Sequence, residues 1–245
     1  MKPLLIVRTG RAPDVISERH GDFPRWFQLG LRLRAPRLQV VDVERGDALP
    51  DPDDVAGAIL TGSASMVTER LPWSERTAGW IRHAMDADLP LLGVCYGHQL
   101  MSHALGGRVD YLPGGREMGT VPLAIQAGAA ADELGAALPQ TFHAHTTHEQ
   151  SVLELPRGAV SLARSARDPN HLVRYGKHAV STQFHPEFSA EVMRAYIRRK
   201  HDVLASEGTP PAAMLAAVVA TPHATGLLRH FVRTHLATAQ ASSAA

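Results

Sequence analysis

The segment Leu91-Leu92-Gly93-Val94-Cys95-Tyr96-Gly97-His98-Gln99-Leu100 constrains the fold of this chain more than any other. A short apolar run enters Gly-x-Cys-x-Gly and continues into a helical pattern, which puts Cys95 at a sharp strand-to-helix turn. Side chains flanking such a turn would collide with the neighbouring strand and helix, so glycine is needed on both sides. The following helix directs its N-terminus at the sulfur and favours the reactive thiolate. A free cysteine is commonly just a small buried hydrophobe, but that role requires neither the glycines nor the strand-to-helix context. Cys95 is also the chain's one cysteine. No internal disulfide framework competes for it, and nothing points to an oxidising compartment.

The rest of the chain suits such a turn. Bounded apolar runs at residues 4–7, 38–43, 57–60, 89–94 and 179–184 read as buried strands. Helix-sized stretches at 23–33 and 73–88 lie between several of them, the second opened by Pro72 and carrying Trp80, Ile81, Ala84 and Met85 at helical spacing. This alternation predicts an α/β layered fold with a mostly parallel sheet in the first half. Residues 106–180 are rich in Gly, Pro and His, with alternating pieces such as 121–125, and predict a small antiparallel excursion. Gly106-Gly107 and Pro113-Gly114-Gly115 read as turns, and Trp26, Phe27 and Trp73 as core or lid packing. Residues 189–207 read as one helix, broken by Gly208-Thr209-Pro210-Pro211. A last helix at 226–237 gathers Leu227, Leu228, Phe231, Val232 and Leu236 near one face, and 241–245 should fray. The expected division is a catalytic domain at 1–200 and a helical C-terminal extension at 201–245.

Lys and Arg number 25 against 24 Asp and Glu, a net charge of +1, so a nucleic-acid or polyanion footprint is missing and a small-molecule substrate is expected. The apolar run at the N-terminus stops at Arg8 with no cleavage site after it and reads as a strand. No window reaches the roughly 18 to 20 unbroken apolar residues of a membrane span. A cytoplasmic protein is expected.

A cysteine nucleophile acting on an acyl group needs a base and a group that holds the base in the right tautomer. Phe184-His185-Pro186-Glu187 offers both. Residues i and i+2 of an extended segment share a side, and Pro186 keeps His185 out of helical conformation, so the Glu187 carboxylate can reach the imidazole. Among 14 histidines the tripeptide alone says little. Its position after an apolar strand, well downstream of the cysteine turn, gives it weight.

Gly-Val-Cys-Tyr-Gly-His-Gln at 93–99, taken with Gln-Phe-His-Pro-Glu at 183–187, resembles the triad signature of the class I glutamine amidotransferases, especially the amidotransferase domain of GMP synthase. The resemblance spans about residues 1–197. It implies a doubly wound, flavodoxin-like α/β domain whose mostly parallel sheet is flanked by helices. It also implies a γ-glutamyl thioester on Cys95, His185 and Glu187 as the rest of the triad, ammonia as product, and no metal or organic cofactor. Gln99 matches a glutamine that helps hold the substrate. Leu60-Thr61-Gly62-Ser63-Ala64 resembles the loop whose backbone N–H, from Gly62 or Ser63, joins that of Tyr96 in an oxyanion hole; Ser63 stands where a second glycine is usual. Thr147-His148-Glu149-Gln150-Ser151-Val152 resembles the Ser-His-Gly-Asp-x-Val segment that borders the glutamine, which makes Thr147 and His148 substrate-binding candidates. Glu149 replaces its glycine and Gln150 its aspartate, changes that bear on backbone and charge around the substrate. His143, His145 and His148 have spacing suited to zinc, but no nearby cysteine or further ligand completes a set, and no metal is expected.

The implied reaction is hydrolysis of glutamine's side-chain amide, with ammonia passed to an acceptor on another protein. Residues 201–245 are too few for a synthetase domain and carry no ATP-binding loop, so a synthetase partner would act in trans. The first alternative is a stand-alone γ-glutamyl amide or peptide hydrolase with the same triad, favoured by Glu149 and Gln150. The second is a non-catalytic regulatory subunit of the same fold, disfavoured by the intact Cys95, His185 and Glu187. A cysteine peptidase or deglycase on a related fold is disfavoured by the His-Pro-Glu pattern.

Overall fold

The computed structural model describes residues 2–33 and 37–236. The strands are β1 (Leu4–Arg8), β2 (Leu38–Asp42), β3 (Gly57–Leu60), β4 (Leu91–Val94), β5 (Arg108–Tyr111), β6 (Glu117–Ile125), β7 (Thr141–His148), β8 (Gln150–Glu154), β9 (Val160–Arg164), β10 (Leu172–Arg174) and β11 (Ala179–Thr182). The helices are α1 (Asp14–His20), α2 (Phe23–Leu31), α3 (Pro72–Asp86), α4 (Tyr96–Ala104), α5 (Glu133–Ala136), α6 (Ala190–Arg199), α7 (His201–Ser206), α8 (Pro211–Ala217) and α9 (Pro222–Phe231).

Nine strands form one sheet in the order β2-β1-β3-β4-β11-β10-β9-β6-β7. The five from β2 to β11 pair in parallel, and the next four continue the same sheet antiparallel. The antiparallel excursion is thus part of the main sheet, and among the described residues β5 and β8 form a separate ribbon. The central strands are apolar throughout because both faces are covered; Leu5, Ile6, Val7, Ile59 and Leu60 are fully buried. One face packs against α2, α6 and α9, the other against α3 and α4.

Local chemistry sets the element ends. Asp22 caps α2 by accepting from the Phe23 N–H at 2.8 Å, with Pro24 in the first turn. Ser189 caps α6 by accepting from the Val192 N–H at 3.2 Å. The helix expected over 189–207 is broken at Lys200, which leaves helical geometry (φ −94°, ψ 14°) so that α7 can turn Leu204 into the core. The last helix starts earlier than expected, at Pro222, and passes into a π-type turn over Val232–Leu236. Ala237 and the expected frayed tail at 241–245 lie outside the described residues. No single described helix is long and apolar enough to cross a membrane.

Strand order reverses around β1, since β2 lies on one side and β3 on the other. In open α/β sheets the crevice beyond the carboxyl ends of the strands at such a switch point takes ligands. The segments leaving β1, β3, β4 and β11 all open there.

Candidate active site

Cys95 occupies the turn between β4 and α4 with φ 53° and ψ −102°, a region that L-residues avoid. The neighbouring strands hold it there. Its N–H donates to the Thr182 carbonyl of β11 at 2.8 Å, and the Gly97 N–H donates to the Thr61 carbonyl at 3.0 Å. Both flanking glycines are sterically required. A Cβ on Gly93 would lie 2.6 Å from the Gly97 carbonyl oxygen and 2.7 Å from Met101 Sδ, and one on Gly97 would overlap the Leu60 backbone. The Cys95 Sγ lies 3.9 Å from the Thr147 carbonyl oxygen.

His185 is brought alongside by the chain leaving β11, its own N–H tied to the His145 carbonyl at 2.8 Å. Its Nδ1 donates to Glu187 Oε1 at 2.7 Å. That bond fixes the tautomer. Nε2 is buried with no hydrogen-bond partner among the described residues, and is left for the sulfur or a substrate. Burial disfavours the imidazolium, but the negative charges of Glu187 and Cys95 outweigh it and push the His185 pKa up to about 10. Phe188 stacks on His185 with ring centroids 4.0 Å apart and on Tyr196 at 5.1 Å, which backs the imidazole with an apolar wall.

The loop after β3 is pinned to the end of β1, where Thr9 Oγ1 donates to the Thr61 carbonyl at 2.8 Å. Ser63 causes no strain, since its φ is not positive, and its Oγ accepts from the Ser65 N–H at 3.1 Å. The Gly62 and Ser63 N–H groups are engaged by no described acceptor. Tyr96 is the first residue of α4, so its N–H has no partner within the helix. Ser63, Cys95, Tyr96, Gln99, Thr147, His148 and His185 line one cavity of about 160 Å³, with Gly62 packed directly against the His185 ring. The sequence-selected residues therefore converge.

Behind the cavity lies a buried network that no sequence motif announces. Gln99 Nε2 donates to the Gln150 carbonyl at 2.7 Å and to Gln183 Oε1 at 3.0 Å, so both its amide protons are committed. The same Gln150 carbonyl faces His148 Nδ1 at 2.9 Å, while His148 Nε2 lies 3.2 Å from Glu117 Oε2. His171 Nε2 meets that same oxygen at 2.7 Å, and Ser165 Oγ donates to the other at 2.7 Å. Burial alone would raise the Glu117 pKa, but hydrogen bonds from the two histidines hold it well below the usual carboxylate range. Each ring nitrogen of His148 thus faces an oxygen, the Gln150 carbonyl on one side and the Glu117 carboxylate on the other. The three histidines weighed as a zinc set do not converge, because His143 is exposed on β7. His148 instead groups with Glu117 and His171, whose donor atoms lie within 4.8 Å of one another. These partners come from β6 and from the segment before β10, and no local motif links them to His148.

Glu149 and Gln150 are accommodated without strain, since neither has a positive φ. Arg116 and Lys200 both bind Glu149, the latter at 3.4 Å. Gln150 is buried, with Nε2 donating to Thr68 Oγ1 at 2.6 Å and Oε1 unpartnered.

The fold and this cysteine-centred cavity define a class of doubly wound α/β proteins with a strand-to-helix cysteine turn, and comparison with known proteins narrows it. The family model for glutamine amidotransferase class-I matches residues 31–202, and the chain belongs to that family. It is 29% identical over 164 residues to Gamma-glutamyl peptidase 5 of Arabidopsis thaliana, covering 66% of this chain and 65% of that one. It is 38% identical over 135 residues to the glutamine-hydrolyzing GMP synthase of Prochlorococcus marinus, 54% of this chain and 24% of that protein. A glutamine-hydrolyzing GMP synthase subunit from Methanopyrus kandleri is 32% identical over 142 residues, 56% of this chain and 71% of that one. This chain thus spans about two thirds of the peptidase and a quarter of the full-length synthase. A glutamine amidotransferase from Thermotoga maritima has the same fold, with TM-score 0.76 at 20% identity over 96% of this chain and 99% of that one.

Proposed function

We propose that this chain hydrolyses γ-glutamyl amide bonds through a thioester on Cys95, with His185 as acid and base and Glu187 as its orienting carboxylate. The observation that carries this reading is the strained Cys95 turn in one cavity with a His185 whose Nδ1 is bound by Glu187 and whose Nε2 is unpartnered. The thiolate attacks the side-chain carbonyl carbon, and the N–H groups of Tyr96 and of Gly62 or Ser63 meet the oxyanion. As the C–N bond breaks, His185 gives its Nε2 proton to the leaving nitrogen. Water then adds to the thioester, His185 takes its proton, the C–S bond breaks, and glutamate leaves. Gln99, its amide protons committed, offers Oε1 to the substrate's amino group; Thr147 and His148 hold the adjoining wall.

Two members of this substrate class compete. With glutamine the leaving group is ammonia, and a synthetase partner would use it, as the names of the GMP synthase relatives suggest. With a γ-glutamyl amine or peptide no partner is needed. The changed Glu149 and Gln150, together with the peptidase relative, favour the second. Release of glutamate from glutamine and from a panel of γ-glutamyl amides tests the reading, alongside intact-mass detection of a γ-glutamyl adduct on Cys95. Turnover that survives Cys95→Ala would refute it.

A further inference from the structure

Among the described residues that line the cavity, four are arginine or lysine, Arg11, Arg116, Arg199 and Lys200, and one is a carboxylate, Glu149. Most of this charge is internally used. Arg11 binds Asp42 at 3.0 Å, and Arg116 is held between Glu149 and Glu207. Lys200 has only a 3.4 Å contact to a Glu149 already bound by Arg116. The Arg199 side chain makes no hydrogen bond or ion pair with any described residue. The mouth of the cavity therefore carries an uncompensated cation with a half-committed one beside it.

Their position relative to the base is informative. The Phe188 ring links His185 to Tyr196, and Arg199 and Lys200 follow Tyr196 by three and four residues, on the same face of the C-terminal end of α6. Thr147 lies at the sulfur, Gln99 and Gln150 are bonded to each other, and Lys200 faces Glu149 of the same segment. A leaving nitrogen must meet His185 Nε2 to be protonated, so whatever that nitrogen carries lies in the cavity that Arg199 also lines. Ammonia carries nothing. An amino acid carries a carboxylate two bonds away, within reach of a guanidinium, which binds carboxylates in bidentate geometry.

We propose that Arg199, assisted by Lys200, is a carboxylate subsite for the leaving group, and that the preferred substrate class is γ-glutamyl amino acids or peptides rather than glutamine. This rests on the γ-glutamyl hydrolase reading above for its orientation. The plainer role for Arg199 is complementing the helix dipole in the last turn of α6. Arg198 stands in the same turn but does not line the cavity, so it provides the control.

The experiment is calorimetric binding of γ-glutamylalanine and γ-glutamylethylamide, which differ in the leaving-group carboxylate, to Cys95→Ala protein alone and combined with Arg199→Gln or Arg198→Gln. The Cys95→Ala protein should prefer the alanine compound by roughly tenfold, the worth of one charged hydrogen bond, with the preference shrinking as salt rises. Arg199→Gln should bring the two ligands to about equal affinity, and Arg198→Gln should leave the preference intact. No preference in the Cys95→Ala protein, or binding of neither ligand, would overturn the subsite. So would an equal loss for both ligands on Arg199→Gln, because Arg199 would then hold the glutamyl carboxylate they share. If the preference follows Arg199 while the cysteine-intact enzyme hydrolyses neither compound, the subsite stands and the hydrolase reading fails.

Discussion

At the residue scale, Cys95 is held by exclusion as much as by bonding. Its φ of 53° costs roughly 1 to 3 kcal/mol and persists because β4, α4 and the Leu60 backbone leave no alternative path. Gly97→Ala puts a methyl into that backbone contact, where nothing flexible can yield. It should destabilise by about 3 kcal/mol or more in urea unfolding and abolish cysteine-dependent turnover even where the protein still folds. Glu187→Gln tests charge with shape retained. Since the Glu187 charge is a main reason the His185 imidazolium survives to about pH 10, its loss lets the proton leave at lower pH. The alkaline limb of the kcat profile should shift toward acid, and kcat at neutral pH should fall by at least about 100-fold. An unmoved alkaline limb would mean that Glu187 only orients the ring.

At the element scale, α9 packs directly against α2. Leu228 is fully buried, and its Cδ1 lies 2.5 Å from where a Cβ on Gly30 would stand. Gly30→Ala meets the movable end of a leucine and should cost about 1 kcal/mol, whereas Leu228→Ala opens a cavity and should cost about 3 kcal/mol. Coincident unfolding by circular dichroism and tryptophan fluorescence in Leu228→Ala would place the helices beyond residue 200 in one cooperative unit with the sheet. A separate early transition would make them an independent layer. These helices also show what sequence conveys at this scale. The parallel strands were legible because burial on both faces makes them continuous apolar runs bounded by polar residues, as in β1 and β3. The break at Lys200 was not, because a polar sequence continues across it and the bend is set by where Leu204 must go. α1 was missed for a similar reason, with Ile16 its one buried side chain.

At the scale of the whole molecule, the sheet switch point collects residues that lie far apart in the sequence. The grouping of Cys95 with His185 and Glu187 was legible because the cysteine turn and His-Pro-Glu each carry a local backbone constraint. Glu117, His148 and His171 are joined only by tertiary structure, and Arg199 stands in the basic run Arg198-Arg199-Lys200, which carries no local motif. The Glu117 cluster makes a global prediction. Its hydrogen bonds to two histidines place the folded carboxyl pKa far below the ordinary 4.5. Between those two values the unfolded chain binds more protons than the folded one, so unfolding free energy falls as pH falls. The stabilisation is therefore complete above pH 4.5 and drains away on acidification as pH approaches the folded value. Glu117→Gln removes this dependence and takes the buried charged acceptor away from His148, His171 and Ser165, a loss of roughly 3 kcal/mol at neutral pH. Urea midpoints taken from neutral pH downward should show the wild type losing stability below 4.5 more steeply than the variant, so that the two curves converge. Parallel curves would mean that Glu117 is neutral in the folded protein and that the cluster stabilises by packing alone.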